Sequence, residues 1–90
     1  MSPAPPKWSY VYLLKSKTDS SIYIGCSSNL RKRLEEHRKG KSYSTKKMLP
    51  VELVYFEGYR TKEAAFEREK RLKYHGNALR CLKSRIGGAG

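Results

Sequence analysis

From Ser9 to Lys17 the chain reads SYVYLLKSK, a run dense in aromatic and branched residues that predicts a β-strand. Side chains alternate across a strand, so Tyr10 and Tyr12 share one face while Val11 and Leu13 share the other. The turn formers Thr18-Asp19-Ser20-Ser21 follow, and then IYIGCS from Ile22 to Ser27 predicts a second strand closing a hairpin. In it Tyr23 points away from Ile22 and Ile24. Gly25 stands where a strand glycine marks close approach by a neighbour.

The period then changes from two to 3.6. Asn29 is placed to cap a helix running to about Lys39, with Gly40 as its stop. Leu30, Arg33, Leu34 and His37 fall on one face of that helix, and Arg31, Lys32, Glu35, Glu36 and Lys39 on the wet side. Lys41 to Pro50 is a basic loop. Val51 to Tyr59, reading VELVYFEGY, predicts a third strand; its apolar residues do not alternate cleanly, which suits a central strand covered on both faces. Thr61 caps a second helix to about Tyr74, ended by Gly76, and Asn77 to Ile86 predicts a short third helix with Ala78, Leu79 and Leu82 turned inward. The order β-β-α-β-α-α defines an α+β domain, a three-stranded antiparallel sheet flanked by helices, over residues 8–86. Met1 to Lys7, with three prolines, reads as a disordered leader, and residues 87–90 as a flexible tail.

Composition narrows the function. Twenty Lys and Arg against eight Asp and Glu give a net charge of +12 on 90 residues. That density favours a polyanionic partner, and nucleic acid comes first because the basic residues are interleaved with aromatics in a folded pattern. No helix pairs a basic face with a broad Trp/Phe/Leu face, which argues against a membrane surface. Cys26 and Cys81 have neither zinc-site spacing nor a disulfide framework, so a reduced, cytoplasmic setting is expected.

Three places carry chemistry. Glu69 falls among Ala65, Phe66, Leu72 and the stem of Lys73 on one helix face, whereas Glu63 and Glu67 lie away from it. A carboxylate among core positions needs a cation, either a metal or an arginine. Arg33 and His37 are i, i+4 neighbours at the edge of a buried stripe. One is a planar fork suited to phosphate and the other a proton carrier near neutral pH. The hairpin adds Tyr12 and Tyr23.

Taken together, Tyr10-Val11-Tyr12, then Tyr23-Ile24-Gly25, the stretch from Tyr23 through Arg33 to His37, Pro50-Val51-Glu52-Leu53-Val54-Tyr55 and Glu69-Lys70-Arg71-Leu72-Lys73 resemble the ordered motifs of the GIY-YIG nuclease superfamily. The likeness is to its short stand-alone members and to the excinuclease nuclease domain. The first triplet departs from the pattern by lacking its leading glycine, and Asn77 aligns too poorly to stand for the late asparagine of larger members.

The resemblance implies a divalent-metal-dependent DNA endonuclease with little sequence specificity and room for selectivity by DNA shape. It implies catalytic roles for Tyr12, Tyr23, Arg33, His37 and Glu69, with Glu69 holding Mg²⁺ or Mn²⁺. On that reading Arg33 and the metal bring a tyrosine, Tyr12 or Tyr23, into play as the base by favouring its phenolate. Lys41, Lys46, Lys47, Arg60, Lys62, Lys73 and Arg80 are expected to grip the DNA backbone in a salt-sensitive way. A monomer is expected, with repair among the open pathways. A catalytically silent nucleic-acid-binding module of the same fold is the alternative.

Overall fold

The computed structural model describes residues 8–19 and 21–87. The leader expected at 1–7 and the last three residues of the expected tail lie outside the described residues. The elements are β1 (Ser9–Ser16), β2 (Ile22–Ser27), α1 (Leu30–Arg38), α2 (Tyr43–Lys46), β3 (Val51–Tyr59), α3 (Lys62–Tyr74) and α4 (Gly76–Gly87). The chain thus forms a three-stranded antiparallel sheet flanked by helices, as the sequence pattern predicts. One turn of helix, α2, is added inside the basic loop.

The sheet order is β2-β1-β3, with β1 antiparallel to both neighbours. The central strand is therefore β1, whose four residues Val11 to Leu14 are all buried. β3 is an edge, contrary to the expectation from its mixed pattern. The mixed pattern has another cause. Leu13 pairs with Tyr55 but Leu14 pairs with Leu53, so β3 carries one extra residue at this point. A bulge of this kind breaks the alternation of side chains, and Val54 and Tyr55 both pack toward the same core while Leu53 and Val51 serve the other.

The two faces of the sheet carry separate cores. On one, Val11, Leu13 and Ile24 meet Ala65 and Leu72 of α3 and Leu82 of α4. On the other, Tyr12, Leu14 and Val51 meet Tyr23, Leu30 and Leu34, with Met48 and Leu49 closing the edge. Helix ends follow the residues present. Asn29 Oδ1 accepts from the Lys32 amide at 3.1 Å and Thr61 Oγ1 from the Ala64 amide at 3.1 Å, satisfying amides that the first turn leaves free. Gly40 takes the left-handed φ of 73° after α1, a conformation open to glycine at little cost.

The inward stripe of α3 runs through Ala65, Arg68, Glu69 and Leu72, at i, i+3, i+4 and i+7. Phe66, expected on that face, is one step off it and lies exposed, with the Lys62 ammonium 5.6 Å from its ring centroid. Arg68 is the member of the stripe that the sequence did not single out. Its Nε donates to both oxygens of Glu57 at 2.9 and 3.1 Å, and the Tyr59 hydroxyl donates to the same carboxylate, so α3 is pinned to the edge strand β3. Leu72→Ala should cost about 2–5 kcal/mol of unfolding free energy, since it opens a cavity between α3 and the sheet. A urea midpoint equal to that of the unmodified protein would contradict this packing.

Candidate active site

On the α1 side of the sheet, Tyr12 stands at the middle of the central strand. Its register partner on β2 is Gly25. A Cβ built on Gly25 would fall inside the van der Waals surface of Tyr12 Cζ and Oη. The absence of a side chain there is what lets the phenol lie flat across β2. Tyr23, two residues earlier on the same face, packs its ring 6.4 Å from that of Tyr12.

α1 brings the next two groups. His37 is fully buried, with 0% of its surface exposed, as is Tyr12. The Tyr12 hydroxyl lies 2.9 Å from His37 Nε2. The other ring nitrogen, Nδ1, lies 2.7 Å from Thr45 Oγ1. The imidazole packs 5.2 Å from the Tyr23 ring and 5.7 Å from the Tyr12 ring, centroid to centroid. One turn before His37, Arg33 brings its positive charge close enough to the Tyr12 phenol to pull against the effect of burial there. It also faces Glu36 at 3.6 Å and keeps about a third of its side chain in solvent, at 36% exposure. Tyr12, Tyr23, Arg33 and His37 thus come together as one cluster around a single hydroxyl.

Glu69 approaches from the opposite helical layer. Its side chain is 19% exposed, and Oε1 lies 3.5 Å from Lys73 Nζ. Its negative charge is felt both at Tyr12 and at Cys26. The basic residues expected on DNA are all exposed but are not gathered into one patch. Lys41, Lys46 and Lys47 flank α2 near the start of β3, whereas Arg60 and Lys62 follow its far end. A nine-residue strand is roughly 30 Å long at ~3.3 Å per residue. Lys73 is held by Glu69, and Arg80 lies on α4.

The electrostatics bear on one expectation. Burial pushes the Tyr12 phenol up to about 12, and Tyr23 and Glu69 add to that, against the opposing pull of Arg33. Among the chain's own groups desolvation therefore outweighs the guanidinium, so Arg33 by itself does not make Tyr12 a ready phenolate. Burial, followed by the nearby Arg33 charge, holds His37 below the ordinary histidine range, so its imidazole is neutral.

A model of the GIY-YIG catalytic domain matches residues 8–83. The chain belongs to the GIY-YIG family. It is 38% identical over 79 residues to a UPF0213 protein of Staphylococcus aureus, covering 84% of this chain and 95% of that one. It is 42% identical over 65 residues to a UPF0213 protein of Streptococcus pneumoniae, covering 71% of this chain and 65%, just under two thirds, of that one. The solution NMR structure of a UPF0213 protein from Bacillus halodurans superposes with a TM-score of 0.56 at 28% identity, covering 89% of this chain and 87% of that one.

GIY-YIG proteins form a nuclease family with DNA as substrate and a general dependence on a divalent metal. Among the described residues of this member no group of three or more His, Cys, Asp or Glu converges to cage an ion. Glu69 offers a single carboxylate at the solvent border. That donor set fits a hard ion such as Mg²⁺, which keeps several waters and needs only one or two protein carboxylates.

The residue that sequence reasoning missed is Thr45. It sits in a loop reading Lys-Ser-Tyr-Ser-Thr-Lys-Lys, where one hydroxyl looks like the next. Only its burial and its 2.7 Å contact with His37 distinguish it.

Two outcomes follow. Gly25→Ala should destabilise the fold by about 1–3 kcal/mol, because the Tyr12 ring must leave its place; urea unfolding measures this. Tyr12 and Tyr59, both pushed up to about 12, hold their protons more tightly folded than unfolded. The stability this confers is complete below about pH 10 and drains away as pH rises from about 10 to 12. Phenolate absorbance should show these two groups ionising last, and Tyr12→Phe should flatten the alkaline loss.

Proposed function

We propose that this GIY-YIG protein hydrolyses DNA phosphodiester bonds with Mg²⁺ or Mn²⁺ held at Glu69, with little regard for base sequence. The observation that supports the reading is the cluster of Arg33, Tyr12 and His37, in which a buried hydroxyl stands 2.9 Å from a neutral imidazole one helical turn from a phosphate fork. The ion, when bound at Glu69, supplies Lewis acidity toward the phosphate and the leaving oxygen.

The rest is done by the chain's own residues. On this reading the Tyr12 hydroxyl donates to His37 Nε2 at 2.9 Å, the arrangement that the donor-only Arg33 charge near its oxygen favours. With about a third of its side chain in solvent, Arg33 is the member of the cluster that can turn its fork to a phosphate and stabilise the charge growing there. With the fork turned to the phosphate, water attacking phosphorus gives a proton to the Tyr12 oxygen while Tyr12 passes its own to Nε2. The P–O bond to the leaving oxygen breaks, that oxygen takes a proton from solvent, and His37 ends as imidazolium without Tyr12 becoming a free phenolate. Tyr23, half-buried beside both rings, positions the water. The DNA is held by exposed Lys41, Lys46, Lys47, Arg60, Lys62, Lys73 and Arg80 through its backbone, with affinity falling as salt rises. The protein acts as a monomer in the cytoplasm.

Incision of plasmid and of duplex, nicked, branched and single-stranded oligonucleotides with Mg²⁺ or Mn²⁺ tests the reading. Glu69→Ala should abolish turnover. Tyr12→Phe and His37→Gln should each slow it by about 100-fold or more, the range for loss of a general base. Because the His37 imidazole must be neutral and is held below its ordinary value of ~6.5, the wild-type rate should persist to below that pH and fall only on further acidification. Tight, salt-dependent DNA binding with no incision under any divalent ion would replace this reading with that of a binding module.

A further inference from the structure

The relay above depends on Nε2 of His37 being free of its proton, and histidine in water has no strong reason to keep it so. Its two nitrogens compete for one proton, and the partner on one side decides the other. Here the partner on the Nδ1 side is Thr45 Oγ1 at 2.7 Å, and the partner on the Nε2 side is the Tyr12 hydroxyl at 2.9 Å. Tyr12, His37 and Thr45 are all 0% exposed, so both contacts are shut off from bulk solvent.

We propose that Thr45 is a positioning residue of this site: its Oγ1 accepts the Nδ1 proton of His37 and thereby fixes the imidazole in the tautomer whose Nε2 receives the Tyr12 proton. This deepens the nuclease reading and, for its effect on turnover, rests on it. Two hydroxyls flank the ring, at 2.9 Å from Nε2 and 2.7 Å from Nδ1, and each can donate or accept, so the tautomer is set by both contacts together. A ring that accepts the Tyr12 proton at Nε2 must carry its hydrogen at Nδ1, and that hydrogen is buried where Thr45 Oγ1 meets it. Without an acceptor there the Nδ1–H form loses its partner.

The setting of Thr45 makes this contact its chief role. α2 is one turn long, closed by Thr45 and Lys46 amides to the Ser42 carbonyl at 3.3 and 3.0 Å and by the Met48 amide to the Thr45 carbonyl at 2.9 Å. Ser42, at its N-cap, makes no side-chain capping bond. Such a turn has little helical stability of its own. Its neighbours Lys46 and Lys47 are among the side chains assigned to the DNA backbone, so the segment that orients His37 is also one that meets the substrate.

The test starts with ¹⁵N NMR of the histidine rings at neutral pH. The chain has only two histidines, and exposed His75 serves as the internal control. The wild-type protein should show His37 protonated at Nδ1 with a slowly exchanging proton, unlike His75. A ring protonated mainly at Nε2 would overturn the proposal without reference to activity. Thr45→Val keeps the shape and removes the acceptor. It should shift the ring toward the Nε2–H form and lower kcat by about 10- to 100-fold, the usual effect of losing an outer partner that orients a reactive imidazole, with KM within about twofold. Thr45→Ser should restore both tautomer and rate. An unchanged tautomer in Thr45→Val also overturns the proposal. Should that variant fail to fold, the wild-type spectrum and the serine variant decide. An Nδ1–H ring that shifts in Thr45→Val, in a protein that incises no DNA, would uphold the role of Thr45 and remove the nuclease reading.

Discussion

The site is built around one buried hydroxyl. Tyr12 occupies the central position of the central strand, and a fully enclosed phenol cannot leave its polar end unpaired without a cost of about 1–3 kcal/mol. Three separate segments answer that demand: Gly25 yields the space, α1 supplies His37 and Arg33, and α2 closes the far side of the imidazole through Thr45. Satisfying the hydroxyl therefore fixes the position of α1 on the sheet and with it that of Arg33, one turn away. The requirement that stabilises this half of the molecule is also the one that assembles its chemistry.

The two faces of the sheet divide the work. The core under α3 and α4 is apolar and is tied to the edge strand by Arg68 on Glu57. The core under α1 trades apolar packing for a chain of polar contacts among aromatic rings. A network of this kind is high in stakes, because each member satisfies the next and removal of one strands its neighbour in a low-dielectric interior.

The fold was largely legible because local signals agreed with one another. Asn29 and Thr61 cap the helices they should, the hairpin has its turn formers, and Gly40 stops α1. What misled was β3, where a bulge near Val54 imitates the pattern of a strand covered on both faces. A register shift is a relation between two strands, and the lost alternation it leaves in one of them does not by itself tell a bulge from burial on both faces. In the site, helical spacing joined Arg33 to His37 and isolated Glu69. The acidity of Tyr12 was not legible, because it depends on burial outweighing a nearby cation, and depth is a tertiary quantity. Thr45 was not legible either, since a hydroxyl in a Ser- and Lys-rich loop resembles any solvated turn until the imidazole is laid beside it.

The pairing of Glu69 with Lys73 has a thermodynamic consequence of its own. A carboxylate that already neighbours an ammonium one helical turn away, at 3.5 Å, is not a bare foothold. Under the proposed reading, a divalent ion taken up there would have to displace or share this resident counter-charge, so its capture would be an exchange and not an addition. The ammonium so released would stand free for a polyanion, and cation and nucleic acid would then be linked through a single side chain.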